Sequence, residues 1–216
     1  MKLFPSTLAA SIRLGVFVCI LFTVSYTFKA QILFYRLGYS PREGDIVFQS
    51  LPHGELVDAI EGVTHSPYSH CGVVLRRDDR WVVIESILDV HETPLLLWMQ
   101  RGRKAGFAVY RLDPKYAAAI PEFKKHLLAY TGFPYDYDYE LSDKAIYCSE
   151  LPYKAFYKAT GEEMGTLEKL GDLDWKPFEG FIKSMQGNKL PLDRLMITPA
   201  SLSNAKQLHE VYRKGF

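Results

Sequence analysis

The chain is poor in cysteine. Its 216 residues hold three: Cys19, Cys71 and Cys148. Cys19 lies in an apolar N-terminal run, so two remain for the folded part, too few for a disulfide framework. CxxC pairs and Cys/His clusters at zinc spacing are absent. His65 and His70 stand close together, but no third and fourth ligands follow at usable spacing. The sequence therefore predicts neither a metal nor a cofactor. An excess of one charge is lacking as well: 26 basic residues face 25 acidic ones, for a formal charge of +1. With no long charge run, a nucleic-acid surface has no support. Internal repeats and low-complexity tracts are missing too. Aromatics are plentiful, with 14 Tyr and 13 Phe, which fits a packed domain rather than disorder. This length suits one well-buried domain, or one domain plus an anchor.

Leu14 to Phe28 carries no charge, and from Leu8 to Phe28 only Arg13 interrupts the apolar run. Extended back to Leu8, the run reaches the roughly 20 residues a bilayer requires. Lys2 and Arg13 precede it, the flank of a secretory signal or signal anchor. No small-x-small cleavage site follows, and no small residue precedes Cys19 as in a lipoprotein signal. Lys29, Arg36 and Arg42 balance the near-side charges, so the positive-inside rule leaves orientation open. The expectation is an uncleaved anchor or transmembrane segment with its linker over residues 1–38. A globular domain over 39–216 would then be held at the membrane, outside the cytoplasm (periplasmic).

In that domain, Pro41 to Asp45 is turn chemistry and Ile46-Val47-Phe48 a short strand. Leu56, Ile60 and Val63 recur at helical spacing. A polar stretch, Thr64 to Ser69, delivers the chain into His70-Cys71-Gly72-Val73-Val74-Leu75, a strand by period and composition. His70, Gly72 and Val74 share one face; Cys71, Val73 and Leu75 share the other, which sets Cys71 apart from His70. Gly72 removes a side chain beside His70, as where another backbone or a substrate comes close. Arg76 to Arg80 is a charged hairpin loop, and Trp81 to Ile87 the returning strand. Glu85 is a carboxylate inside that apolar run. Burying it unpaired costs several kcal/mol, so it faces solvent or has a partner, and the hairpin brings its end of the strand near His70. Pro94 to Gln100 reads as a short helix, Phe107 to Arg111 as a strand, and Asp113 to Tyr130 as helical with a break near Pro121. Thr198-Pro199-Ala200-Ser201 caps a helix expected over Leu202 to Tyr212.

The stretch Ala145 to Pro152 carries the remaining chemistry. Cys148 stands where an apolar run ends and a helical pattern (Tyr153, Phe156, Tyr157) begins. Pro152 belongs in a first helical turn, which puts Cys148 at or just before a helix N-terminus, where the dipole and free N–H groups favour a thiolate. The plain alternative is a buried cysteine packing as a small hydrophobe. Together, a cysteine at a helix start, a histidine at a strand start and a carboxylate on the next strand are the parts of a thiol hydrolase.

These residues resemble the YaeF/YiiX-type permuted papain-like amidases of the NlpC/P60 superfamily. The likeness is carried by Gly44-Asp45-Ile46-Val47-Phe48, Thr64-His65-Ser66 with Tyr68-Ser69-His70, Gly72-Val73-Val74 and Val83-Ile84-Glu85. It continues through Gly132-Phe133-Pro134-Tyr135-Asp136, Ser142-Asp143, Ile146 to Leu151 and Ile197 to Leu202. The resemblance implies an α+β, circularly permuted papain-like domain, with an antiparallel sheet packed on the helix that bears Cys148. It implies Cys148 as nucleophile, His70 as general base and acid, and Glu85 as the orienting third member. Tyr135 and Tyr147 are expected as substrate contacts, and the Cys148 N–H as oxyanion donor. The implied substrate is an amide in the cell envelope, such as a peptidoglycan stem peptide. Lipid ester hydrolysis or acyl transfer, as in relatives of that superfamily, and a non-catalytic ligand-binding module stay open. The lipoprotein cysteine of several members is missing here.

Overall fold

The computed structural model describes residues 38–216; the expected N-terminal anchor lies outside them. Among the described residues no helix is long and apolar enough to cross a membrane. In chain order the elements are Ile46–Gln49 (β1), Glu55–Thr64 (α1), His70–Arg77 (β2), Arg80–Ile87 (β3), Asp89–Pro94 (β4), Leu95–Arg101 (α2) and Phe107–Leu112 (β5). Then come Ile120–Leu128 (α3), Glu150–Thr160 (α4), Glu168–Lys169 (β6), Glu179–Met185 (α5), Leu195–Met196 (β7), Pro199–Ser203 (α6) and Leu208–Lys214 (β8). Six strands form one sheet in the order β4-β3-β2-β1-β5-β8, every pairing antiparallel. This is the mixed helix-and-antiparallel-sheet architecture expected.

Alternation along the strands sends Ile46, Phe48, Cys71, Val73, Leu75 and Ile84 to one face. There they join Phe123 and Leu127 of α3 and Leu151, Ala155 and Phe156 of α4 in the main core. Phe123 and Phe156 meet edge to face at 5.9 Å, a geometry favoured by the aromatic quadrupole. Val47, Val74 and Val83 on the other face are fully buried as well, and α2 lies against β3 and β4. The sheet is thus covered on both faces around β2 and β3, which makes a charged side chain there expensive unless paired. Asp45, fully buried at the start of β1, has such a pairing. The Arg111 fork from β5 donates to both its oxygens, at 2.7 and 2.8 Å.

The helix expected over Leu202 to Tyr212 needs correction. Thr198 does cap a helix, its Oγ1 accepting from Ser201 N–H at 2.9 Å, but that helix ends at Ser203. Leu208–Lys214 is a strand, not the end of a helix to Tyr212, and it pairs along β5 from Phe107 to Leu112. A free sheet edge outweighed local helical spacing, in a segment whose Val211 and Tyr212 suit strands. The strand β4 also went unread, because its edge sequence Asp89-Val90-His91-Glu92-Thr93 carries little apolar signal.

Candidate functional site

β2 and β3 pair Val73 with Ile84, so Glu85 stands across from Gly72, two residues along from His70. The hairpin delivers the expected contact: His70 Nε2 and Glu85 Oε2 are 2.5 Å apart. Gly72 is what makes room. A Cβ there would sit 2.4 Å from Val83 Cγ1, 2.9 Å from Ile84 O and 3.2 Å from Glu85 Cβ. The close approach predicted at Gly72 is therefore that of β3.

Glu85 is wholly buried, and its oxygens are filled. Thr93 Oγ1 from β4 donates to Oε1 at 2.6 Å. Trp98 Nε1 from α2 donates to Oε2 at 2.9 Å, and Arg101 Nη2 at the end of α2 donates to the same oxygen. Burial alone would raise the carboxyl pKa; the His70 bond and charge, then those of Arg101, overcome it and hold the group at about 2. Thr93, Trp98 and Arg101 are the residues sequence reasoning missed. The one signal available was that a buried carboxylate demands donors.

Cys148 lies two residues before α4, with Ser149 as the N-cap residue and Pro152 in the first turn. Ser149 Oγ donates to Ile197 O at 2.7 Å, and Tyr147 N–H donates to Glu150 Oε2 at 3.1 Å. These bonds fix the turn that presents the thiol. Cys148 and His70 are each 2% exposed. With Nε2 of His70 given to Glu85, Nδ1 is the ring nitrogen left for the sulfur. The Cys148 thiol is held well below its ordinary pKa. The Cys71 thiol contact acts first, and burial opposes it; the His70 bond and charge and the Cys71 N–H add to the lowering. Burial opposes a charge on His70, yet the Cys148 and Glu85 contacts outweigh it and raise the imidazole to about 9. Both shifts point the same way, toward a charged Cys148–His70 pair.

Cys71 was expected on the face of β2 opposite His70, as an unreactive thiol. Its face is as expected, toward α4, but that is where Cys148 sits, and the two thiols touch. The site lies over the beginning of β2, where residues of both faces reach it. Burial pushes the Cys71 thiol well above its usual pKa, so Cys71 stays a protonated donor.

Tyr135 is half-buried. Its hydroxyl lies 3.2 Å from that of Tyr139 and contacts Cys148; burial, with the Tyr139 and Cys148 contacts, keeps it protonated. Tyr147 is 1% exposed, and its hydroxyl accepts from Ile197 N–H at 2.9 Å. It is packed as a wedge between α4 and the segment before α6. Two surface cavities lie apart from these residues. One, of about 450 Å³, opens beside His65, Asp174 and Ser201; the other, of about 500 Å³, lies along Glu140 and Leu190.

A model of the permuted papain-like amidase family, YaeF/YiiX (C92), matches residues 40–212. The uncharacterized protein YiiX of Escherichia coli (strain K12) is 30% identical over 180 residues, covering 82% of this chain and 89% of its own. A crystal structure described as metalloprotein YiiX from Escherichia coli O157:H7 is 31% identical, with a TM-score of 0.77, covering 82% of this chain and 99% of its own. Among the described residues no group of three or more His, Cys, Asp or Glu side chains is arranged to hold a metal ion. Among those residues, then, no donor set fits a resident metal, and the chemistry below uses none.

Proposed function

The chain belongs to the YaeF/YiiX family of permuted papain-like amidases, and from that premise we propose that it is a thiol hydrolase cleaving an amide bond through Cys148, His70 and Glu85. The observation that carries this reading is a buried thiol against an imidazole whose other nitrogen is tied to a buried carboxylate. The Cys148 thiolate attacks the amide carbonyl carbon, and the carbonyl oxygen becomes an oxyanion. The Cys148 N–H and the Tyr135 hydroxyl are the donors assigned to it. His70 gives its proton to the departing amine as the C–N bond breaks, leaving a thioester on Cys148. Water, deprotonated by His70, then attacks the thioester, releasing the acid and restoring the thiolate. Glu85 holds the ring and its charge throughout.

The substrate class assigned is a cell-envelope peptide such as a peptidoglycan stem peptide, met by a domain held at the membrane through residues 1–38. The test is to incubate full-length protein with stem peptides and, separately, with glycerophospholipids, and to search Cys148 for an acyl adduct by mass spectrometry. A peptidyl adduct with release of an amine, abolished in Cys148→Ala, is the expected result. A fatty-acyl adduct would replace the amide reading with the lipid one, and full turnover by Cys148→Ala would end both.

A further inference from the structure

Glu85 is held by more donors than the orientation of one imidazole requires. Oε2 alone receives His70, Trp98 and Arg101. A tryptophan N–H fixes a carboxylate without altering the charge around it. A guanidinium is permanently charged, and here it competes with the imidazolium for one oxygen. We propose that Arg101 is a positioning residue of this site: by sharing Oε2 of Glu85 it loosens the carboxylate's hold on the His70 proton, so that the proton can be passed to a leaving amine. The inference rests on the catalytic reading above.

Arg101 reaches Glu85 by construction. It is the last residue of α2, and the next residues are fastened to the end of β1. Arg103 N–H donates to Ser50 O at 2.7 Å. Gly102 packs so closely that a Cβ would lie 2.6 Å from Gly106 O and 3.1 Å from Gln49 Oε1. Gln49 is itself the register partner of His70. The backbone carrying the guanidinium is thus pinned beside the strand end carrying the imidazole. The Arg101 side chain is 28% exposed, whereas those of Glu85 and His70 are 0% and 3%, so it is the member of the three that reaches solvent.

The other groups around the pair do not supply a second cation. Cys148 approaches from the start of α4, and Cys71 stands beside it as a neutral thiol on β2. Tyr135 faces the thiol as a neutral phenol. From β4, Thr93 gives a neutral hydroxyl, while His91, the register partner of Glu85, is turned to Asp89 at 2.6 Å. Among the described residues Arg101 is the one fixed positive charge bonded to Glu85.

Two roles for Arg101 predict opposite signs. If it merely held the fold together, its loss would let Glu85 slip from His70, and the imidazole would titrate closer to its ordinary value of about 6.5. If it shares the carboxylate, its loss leaves the whole negative charge on the imidazolium. The His70 midpoint then rises by about one unit, the low end of what a charge within about 4–6 Å does. The experiment is an NMR titration of the His70 ring in full-length wild type, Arg101→Met, Arg101→Lys and Thr93→Val, with Cys148 alkylation by iodoacetamide followed in parallel. The expected result is an upward shift in Arg101→Met, near-wild-type behaviour in Arg101→Lys and a smaller change in Thr93→Val, which removes a neutral donor. Should Arg101→Met fail to fold, Arg101→Gln carries the test: an upward His70 midpoint is expected, and an unchanged or lowered one overturns charge sharing. An unchanged or lowered midpoint in Arg101→Met, with the wild-type thiol still titrating low, overturns the role of Arg101 alone. A wild-type Cys148 that alkylates as an ordinary thiol overturns the catalytic reading and this inference with it.

Discussion

Two fully buried carboxylates stand near Cys148, and they titrate in opposite directions. Glu85 is held at about 2; Glu150, in the first turn of α4, is raised by burial to about 7. Both are 0% exposed, so depth does not separate them. Their donors do. Glu85 accepts from four side chains, one a guanidinium and one an imidazole bearing a proton. Glu150 accepts from Tyr147 N–H. Lys154 Nζ stands 2.8 Å from its Oε1, but that ammonium is shared with Ser142 O and Asp143 and only partly offsets the burial. A buried carboxylate stays ionised only when its lone pairs are filled by donors that favour the charge. Glu85 meets that condition and can balance an imidazolium; Glu150 does not, and serves the turn that presents Cys148.

The sharpest break of this contrast is in turnover. Glu85→Gln is expected to lower it by about 10²–10⁴-fold, whereas Glu150→Gln changes it by no more than about tenfold, because the amide oxygen still accepts from Tyr147 N–H. Equal losses in the two variants would end the distinction. Stability comes next. Glu85→Ala leaves Arg101, Trp98 and the His70 ring facing a void, and its expected cost is about 3–5 kcal/mol by denaturant unfolding. Gly72→Ala keeps every donor but drives a methyl into β3, at about 1–3 kcal/mol. It should also stretch the His70–Glu85 contact, seen as a lowered His70 midpoint.

The smallest effects are in pH dependence. Because the Glu85 pKa is depressed, its contribution to stability is fully present above about 4.5 and is lost as pH falls through about 2. Glu150 has the reverse sign. Its raised pKa means that the folded state holds the proton more tightly, so stability falls as pH rises from about 4.5 to about 7. Glu150→Gln should flatten that fall, raising stability at pH 8 relative to pH 4. A wild-type stability curve flat across that window would contradict the assignment of Glu150.

How much of this was legible in the sequence divides along the same line. Cys148, His70 and Glu85 could be read because each rests on local geometry. A hairpin of known loop length brings the end of β3 to the start of β2, and Pro152 marks a first helical turn. The Glu85 clasp was not legible, because Thr93, Trp98 and Arg101 reach it through an edge strand and a short helix whose packing no periodicity encodes. Cys71 misled for a related reason. Strand alternation gave its face correctly, but the site sits at a strand end, where facing stops separating neighbours. Tyr147 was expected as a substrate contact, and its hydroxyl accepts from Ile197 N–H, a partner remote in sequence. Leu208–Lys214 became a strand because β5 had an edge to offer, which a one-dimensional pattern does not contain.

The central claim is that Cys148 rests as a thiolate paired with His70. The pH dependence of Cys148 alkylation by iodoacetamide, read site by site by mass spectrometry so that Cys71 and Cys19 are counted apart, tests it most directly in wild type and His70→Ala. The account predicts a thiol titrating well below the ordinary value of about 8.5, moved upward in His70→Ala, with Cys71 unreactive throughout. A Cys148 that titrates near that ordinary value and is indifferent to His70 would contradict it.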